Sequence, residues 1–145
     1  MIIRGVRLRA TTNEGEYGFR FNFARTLTIV RAKNSSGKST LFNSLLYGLG
    51  MEELVGGKNE KALPYALKEH IEHDGRRILV TASEVLLEIE SRSGEVVTLR
   101  RAIRDAVRDP KLIEVFTGAH VTEHQILGKA RPTYVHDGGG AKRPE

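Results

Sequence analysis

The chain has 145 residues, 39% of them hydrophobic and 28% charged, which suits one domain with a buried core. It has no cysteine, which excludes a disulfide framework and a thiolate metal site and fits a reducing compartment. The net charge of +5 is concentrated early: through residue 51 the basic side chains are Arg4, Arg7, Arg9, Arg20, Arg25, Arg31, Lys33 and Lys38, against Glu14 and Glu16. That balance favours a polyanion near the N-terminus, either a nucleotide, a nucleic acid or both.

In chain order, the start Met1-Ile2-Ile3-Arg4 lacks the apolar stretch of a signal peptide, and no run approaches the roughly 20 apolar residues of a membrane span. A cytoplasmic protein without membrane contact is expected. Val6 and Leu8 alternate with Arg7 and Arg9, and Tyr17, Phe19, Phe21 and Phe23 alternate with Gly18, Arg20 and Asn22, the period of half-buried strands. Leu27-Thr28-Ile29-Val30 reads as a short strand buried on both faces. From Lys38, residues Leu41, Leu45, Leu49, Phe42 and Leu46 fall at helical spacing, with Gly48 and Gly50 where the helix stops. A loop with a short amphipathic helix around Tyr65 to Ile71 follows. Arg77 to Glu90 and Glu95 to Arg100 form an antiparallel hairpin about Ser91-Arg92-Ser93-Gly94, and Lys111 to Phe116 is a further strand. Residues 1–135 are expected to form one lobe, and 136–145, His-Asp-Gly-Gly-Gly-Ala-Lys-Arg-Pro-Glu, have linker composition.

Between the third strand and the helix lies Ala32-Lys33-Asn34-Ser35-Ser36-Gly37-Lys38-Ser39-Thr40. A triphosphate presents several charges on closely spaced oxygens, so a site for it uses successive backbone N–H groups at a helix N-terminus and one mobile cation. Ser35, Ser36 and Gly37, after Asn34, are small enough to let the backbone approach, Lys38 reaches the phosphates, the Ser39 hydroxyl is placed to ligate Mg²⁺, and Thr40 adds a second hydroxyl. ATP with Mg²⁺ is the expected ligand. Ala32 stands where the phosphate-loop pattern has its first glycine, which is acceptable if that residue keeps φ below zero.

The loop, followed by Leu46-Tyr47-Gly48-Leu49-Gly50, resembles the N-terminal head lobe of ABC ATPases of the SMC, RecF and RecN type, which include chromosome, break-repair and anti-phage defence proteins. The resemblance implies an α/β P-loop NTPase lobe with a mixed sheet and an antiparallel hairpin subdomain. It also implies a coiled coil leading to a C-terminal ATPase lobe, a second head joined in a homodimer across ATP, and action on DNA. A glutamine that senses Mg²⁺ is implied after the hairpin; Gln125, the one glutamine in the chain, is a candidate beside the His136-Asp137 segment. The family's apolar strand ending in Asp-Glu is missing: Val85-Leu86-Leu87-Glu88 is better read as an amphipathic strand, and Leu54-Val55-Gly56-Gly57 lacks the serine of the signature loop. The chain therefore reads as half of an ATPase head, inactive by itself.

Arg100, Arg101 and Arg104, with Arg108, form a basic cluster suited to DNA phosphates, against ion pairs with Asp105 and Asp109. His70, His73 and Asp74 have ligand-like spacing, with solvated side chains the better account. Two other classes compete: a non-hydrolysing nucleotide-dependent module that binds DNA or protein, and a self-contained kinase or GTPase, for which the chain lacks a guanine-reading Asn-Lys-x-Asp and an arginine-rich lid.

Overall fold

The computed structural model describes residues 1–34, 37–56, 63, 67–126, 128 and 130–135, the last five by backbone alone. The expected helix positions 65 and 66 and the tail 136–145 lie outside them. The strands are β1 (Ile2–Thr12), β2 (Gly15–Asn22), β3 (His70–His73), β4 (Arg76–Glu90), β5 (Val96–Arg104), β6 (Leu112–Thr117) and β7 (Arg131–Val135). One helix, α1 (Lys38–Gly48), and a 3-10 turn, Glu52–Val55, complete the described elements. The sheet runs β2-β1-β4-β5-β6-β7, with β3 paired to the first part of β4. Among the described residues no helix is long and apolar enough to cross a membrane.

Alternation decides the two faces. Val6 lies opposite Leu87 and Leu8 opposite Val85, and these four side chains are buried together beneath Leu41 and Tyr47 of α1, with Ile103 of β5 alongside. Each such aliphatic side chain contributes about 1.5–3 kcal/mol when fully buried. Arg7 and Arg9, between them, must face the other side. Gly48 lets the helix come close: a Cβ there would stand 3.3 Å from Val85 Cγ1 and 3.4 Å from Leu87 Cβ. Its role is therefore contact with β4, while Gly50, at φ 71°, turns the chain after the helix.

β1, β2, the β4–β5 hairpin and β6 agree with the sequence pattern. The remaining expectations are corrected. Residues 27–30 form no strand, and Leu27 and Ile29 are 71% and 80% exposed, because no described strand lies beside them to complete a ladder. All pairings among the described strands are antiparallel, so the mixed sheet reduces to a mixed α/β fold with an antiparallel sheet. His70 and Ile71, expected in a helix, belong to β3. The Asp74-Gly75 turn that follows, at φ 50° and 73°, returns the chain into β4 and selects a hairpin instead.

The end of α1 is locked to β5 by a buried polar node. Arg101 is 0% exposed; its Nη1 and Nη2 donate to Glu52 Oε2 and Oε1 at 3.0 and 2.8 Å. The same Nη1 donates to the Tyr47 carbonyl at 2.8 Å, and Nε donates to the Pro110 carbonyl at 2.7 Å. The Tyr47 hydroxyl donates to the Ala102 carbonyl at 2.6 Å, and its ring lies 4.0 Å beneath the guanidinium.

Removing one partner of a buried, hydrogen-bonded ion pair strands the other charge, at a cost of about 3–5 kcal/mol. Arg101→Ala and Glu52→Ala are each expected to lose stability on that scale in urea unfolding. The double variant Arg101→Met/Glu52→Leu is expected to regain much of it, because no lone charge remains.

Candidate phosphate-binding loop

The loop enters α1 through Gly37, whose φ of 89° suits glycine and whose carbonyl accepts the first helical bond from the Leu41 N–H at 2.9 Å. No side chain among the described residues caps this end, and its first turn holds no acidic residue to serve as a built-in anion. Lys38 Nζ donates to the carbonyls of Ala32 at 2.6 Å and Lys33 at 2.8 Å, which folds the ammonium back over the loop. Ser39 is exposed and Thr40 half-buried on the first turn; Asn34 sits in the turn before it. Ser35 and Ser36 lie outside the described residues. Ala32 satisfies its condition: Asp74 is the described non-glycine residue with positive φ, and Ala32 is not.

The opposite face of the sheet carries charge. Arg9 Nη2 lies 3.3 Å from Glu84 Oε1; Arg108 reaches Glu84 at 2.7 Å and Asp105 at 2.8 Å; Arg100 makes a two-pronged bond to Glu114 at 2.8 and 2.9 Å. Nearer the N-terminus Arg25 and Arg4 converge on Glu90, and Arg25 with Arg4 holds the Glu90 carboxyl below its ordinary range. Across this face runs a strap, residues 118–126. Arg7 Nη1 donates to the Glu123 carbonyl at 2.9 Å and Arg9 Nη1 to the His124 carbonyl at 2.6 Å, while Thr98 Oγ1 donates to the Gly118 carbonyl at 2.9 Å.

Gln125 rides on this strap, exposed, beside a cavity of about 280 Å³ lined by Arg9, Glu84, Arg100 and Arg108. Because Arg9 and Leu86 alternate with the residues under α1, this cavity opens on the side of the sheet away from Ser39. The described residues do not bring Gln125 to the loop, and the His136-Asp137 alternative lies outside them. The arginine cluster is also dispersed. Successive strand residues point to opposite faces, so Arg101 goes inside to Glu52 while Arg100 goes to Glu114. Arg104 is exposed and donates to the Lys68 carbonyl at 2.5 Å. Glu88, after the Val85-Leu86-Leu87 run, continues β4 and pairs with Arg4 of β1 at 3.1 Å, in a stretch buried on both faces of the sheet. His70 and His73, three apart on β3, take opposite faces; His73 Nε2 lies 3.4 Å from Asp74 Oδ2, and the described residues contain no metal-like cluster.

The strap has its own lock. His120 Nε2 lies 2.6 Å from the Thr117 carbonyl, and Nδ1 lies 3.0 Å from Glu123 Oε2, a charge contact rather than an aligned hydrogen bond. The Thr117 carbonyl, then Glu123, raise its pKa against the opposing effect of burial.

No protein-family model and no curated protein matches the sequence. Among solved structures, an SMC ATPase studied for ATP-driven dimerisation and DNA-stimulated activation is similar, with a TM-score of 0.52 and 13% sequence identity over 90% of this chain and 72% of that one. At that identity the likeness concerns the fold: an α/β lobe of the kind found in SMC ATPase heads.

A raised folded pKa means that the His120 contribution is fully present below its ordinary value of 6.5 and is lost as pH climbs through the folded value. Hydrogen exchange at the strap amides is accordingly expected to accelerate above that ordinary value, beyond the intrinsic rise in exchange rate. Glu123→Gln should lower the His120 pKa in an NMR titration and shift the onset to lower pH.

Proposed function

We propose that this chain is the nucleotide-binding half of an SMC-like ATPase head. Asn34 to Thr40 take the phosphates of ATP, with Lys38 on the β- and γ-phosphates and Ser39 on Mg²⁺. The observation that carries this reading is the Lys38 ammonium held on two backbone carbonyls at an uncapped helix N-terminus, in a lobe with the SMC head fold. Those carbonyl bonds are ones that phosphate oxygens can replace, and an exposed serine hydroxyl follows directly in the first turn. The donor set fits a magnesium-bound triphosphate. When bound, Mg²⁺ supplies charge neutralisation at the phosphates; the chain supplies the backbone donors, one cation and one hydroxyl ligand.

Hydrolysis also needs a group that orients water and an opposing surface that stabilises developing charge. In this reading both come from other polypeptide: a C-terminal lobe reached through a coiled coil, and a second head. The exposed apolar residues Leu27, Ile29 and Val30 support it, since this β-rich run ahead of the loop has no strand paired with it among the described residues. DNA is the proposed substrate surface, in DNA maintenance, repair or defence, with Arg104 the member of the cluster left exposed to meet phosphates.

Calorimetry is expected to show ATP·Mg²⁺ binding that Lys38→Ala abolishes, while Ser39→Ala weakens the Mg²⁺ dependence more than the affinity for free nucleotide. Unchanged affinity in Lys38→Ala would remove the site. The purified chain is expected to turn over ATP negligibly, and the complementary lobe to raise turnover by orders of magnitude. Steady hydrolysis by the chain alone, eliminated by Lys38→Ala, would instead make it a self-contained enzyme; binding without turnover in the completed protein would make it a nucleotide-dependent binding module.

A further inference from the structure

The far end of the sheet holds a feature unconnected with the phosphate loop. β2 pairs with β1 through eight consecutive partners, from Gly5 with Asn22 to Thr12 with Gly15, without a break in register. Its other edge has no strand against it among the described residues. Exposed edges are ordinarily blunted by lysine, proline, a bulge or a covering element. β2 reads Gly-Glu-Tyr-Gly-Phe-Arg-Phe-Asn, with neither lysine nor proline, and its unbroken register holds no bulge.

Reversed against itself, this sequence is complementary. Antiparallel pairing of two copies about Gly18 sets Glu16 opposite Arg20 of the other copy, twice by symmetry, on the charged face of the sheet. On the face toward α1 it sets Tyr17 opposite Phe19, also twice. Opposite charges and aromatic pairs directly across a ladder are the combinations that stabilise strand pairing. A two-fold about Phe19 instead would face Arg20 with Gly18 and Glu16 with Asn22, and both ion pairs would be lost. Arg20 is exposed and Glu16 lies at the rim, 3.1 Å from Arg7 Nη2. A cavity of about 420 Å³, lined by Arg7, Glu16, Gly18 and Arg20, leaves room beside the edge for an incoming side chain. Gly18 serves this edge by lacking a side chain, and its φ of 149° with a Cβ position 1.9 Å from the Leu8 carbonyl oxygen makes glycine a requirement of the backbone there.

We propose that β2 is a self-association edge: two copies of this chain join strand to strand, antiparallel about Gly18, into one continuous sheet. The association is independent of nucleotide and of the function proposed above. Isologous pairing of this kind closes at a dimer, since it occupies the β2 edge of both copies.

Sedimentation of the nucleotide-free chain across a concentration series is the test. A reversible dimer is expected, equally in wild type and in Lys38→Ala, which separates this contact from any association across nucleotide. Arg20→Glu should weaken it at least about tenfold by turning both ion pairs into repulsions. Glu16→Arg should do the same, and a mixture of the two variants should restore dimers, because each then faces its opposite charge. If Glu16→Arg fails to fold beside Arg7 and Arg9, hydrogen exchange of the β2 amides in wild type and Arg20→Glu replaces the mixture: protection should rise with concentration only in wild type. A wild-type chain that stays monomeric throughout, or a dimer indifferent to Arg20→Glu, would overturn the proposal.

Discussion

An arginine side chain removed from water must have its charge and its five N–H donors answered inside the protein. At Arg101 the answers come from two separated parts of the chain: the Tyr47 carbonyl and the Glu52 carboxylate at and just after the end of α1, and the Pro110 carbonyl in the β5–β6 connection. Each partner satisfies a different edge of one planar group, so the geometry is over-determined. The helix that follows the candidate loop is thereby held at its far end by directional bonds, while its middle rests on aliphatic contacts. Packing alone sets the distance between helix and sheet; the node sets the rotation and the axial position.

The two faces of the sheet solve different problems with the same strands. Beneath α1, Val6, Leu8, Val85 and Leu87 exclude water. On the other side, Glu84, Leu86 and Glu88 are also buried, and the charges of the two glutamates are answered by arginines from β1 and from the β5–β6 connection. The strap adds no regular element, yet it is fixed because Arg7 and Arg9 donate to its carbonyls. Much of the early positive charge is thus spent internally, on Glu16, Glu84, Glu88, Glu90 and the strap, and net charge overstates what remains for an external polyanion.

Where local periodicity carries the information, the sequence was legible. The alternations of β1 and β2, the β4–β5 hairpin and the loop-to-helix junction all follow from residues adjacent in the chain. Residues 27–30 show the limit: an apolar run reports affinity for a partner but not whether one is present. Arg101 was not legible: the sequence placed it in a basic cluster for DNA, whereas in the structure it shares a strand face with Leu99, packed against the core, and Ile103, within it. A pair of adjacent arginines reads as basic surface, and the acid that turns one inward lies about fifty residues away, in a segment whose approach to β5 no local pattern encodes. The position of Gln125 was not legible for a related reason, because which side of a sheet a strap crosses is a property of the whole topology.

The strand order has a consequence for how this chain acquires its structure. β1 with β2, and β4 with β5 and β6, are chain-neighbour pairs that close short loops. The seam between β1 and β4 joins residues about eighty positions apart, Val6 with Leu87 among them. The molecule is therefore two local meanders sutured by one non-local ladder, and topological cost concentrates at that suture. Until it closes, Val6 and Leu8 lack Leu87 and Val85 beside them under α1, and apolar surface stays open on both halves for as long as the seam does.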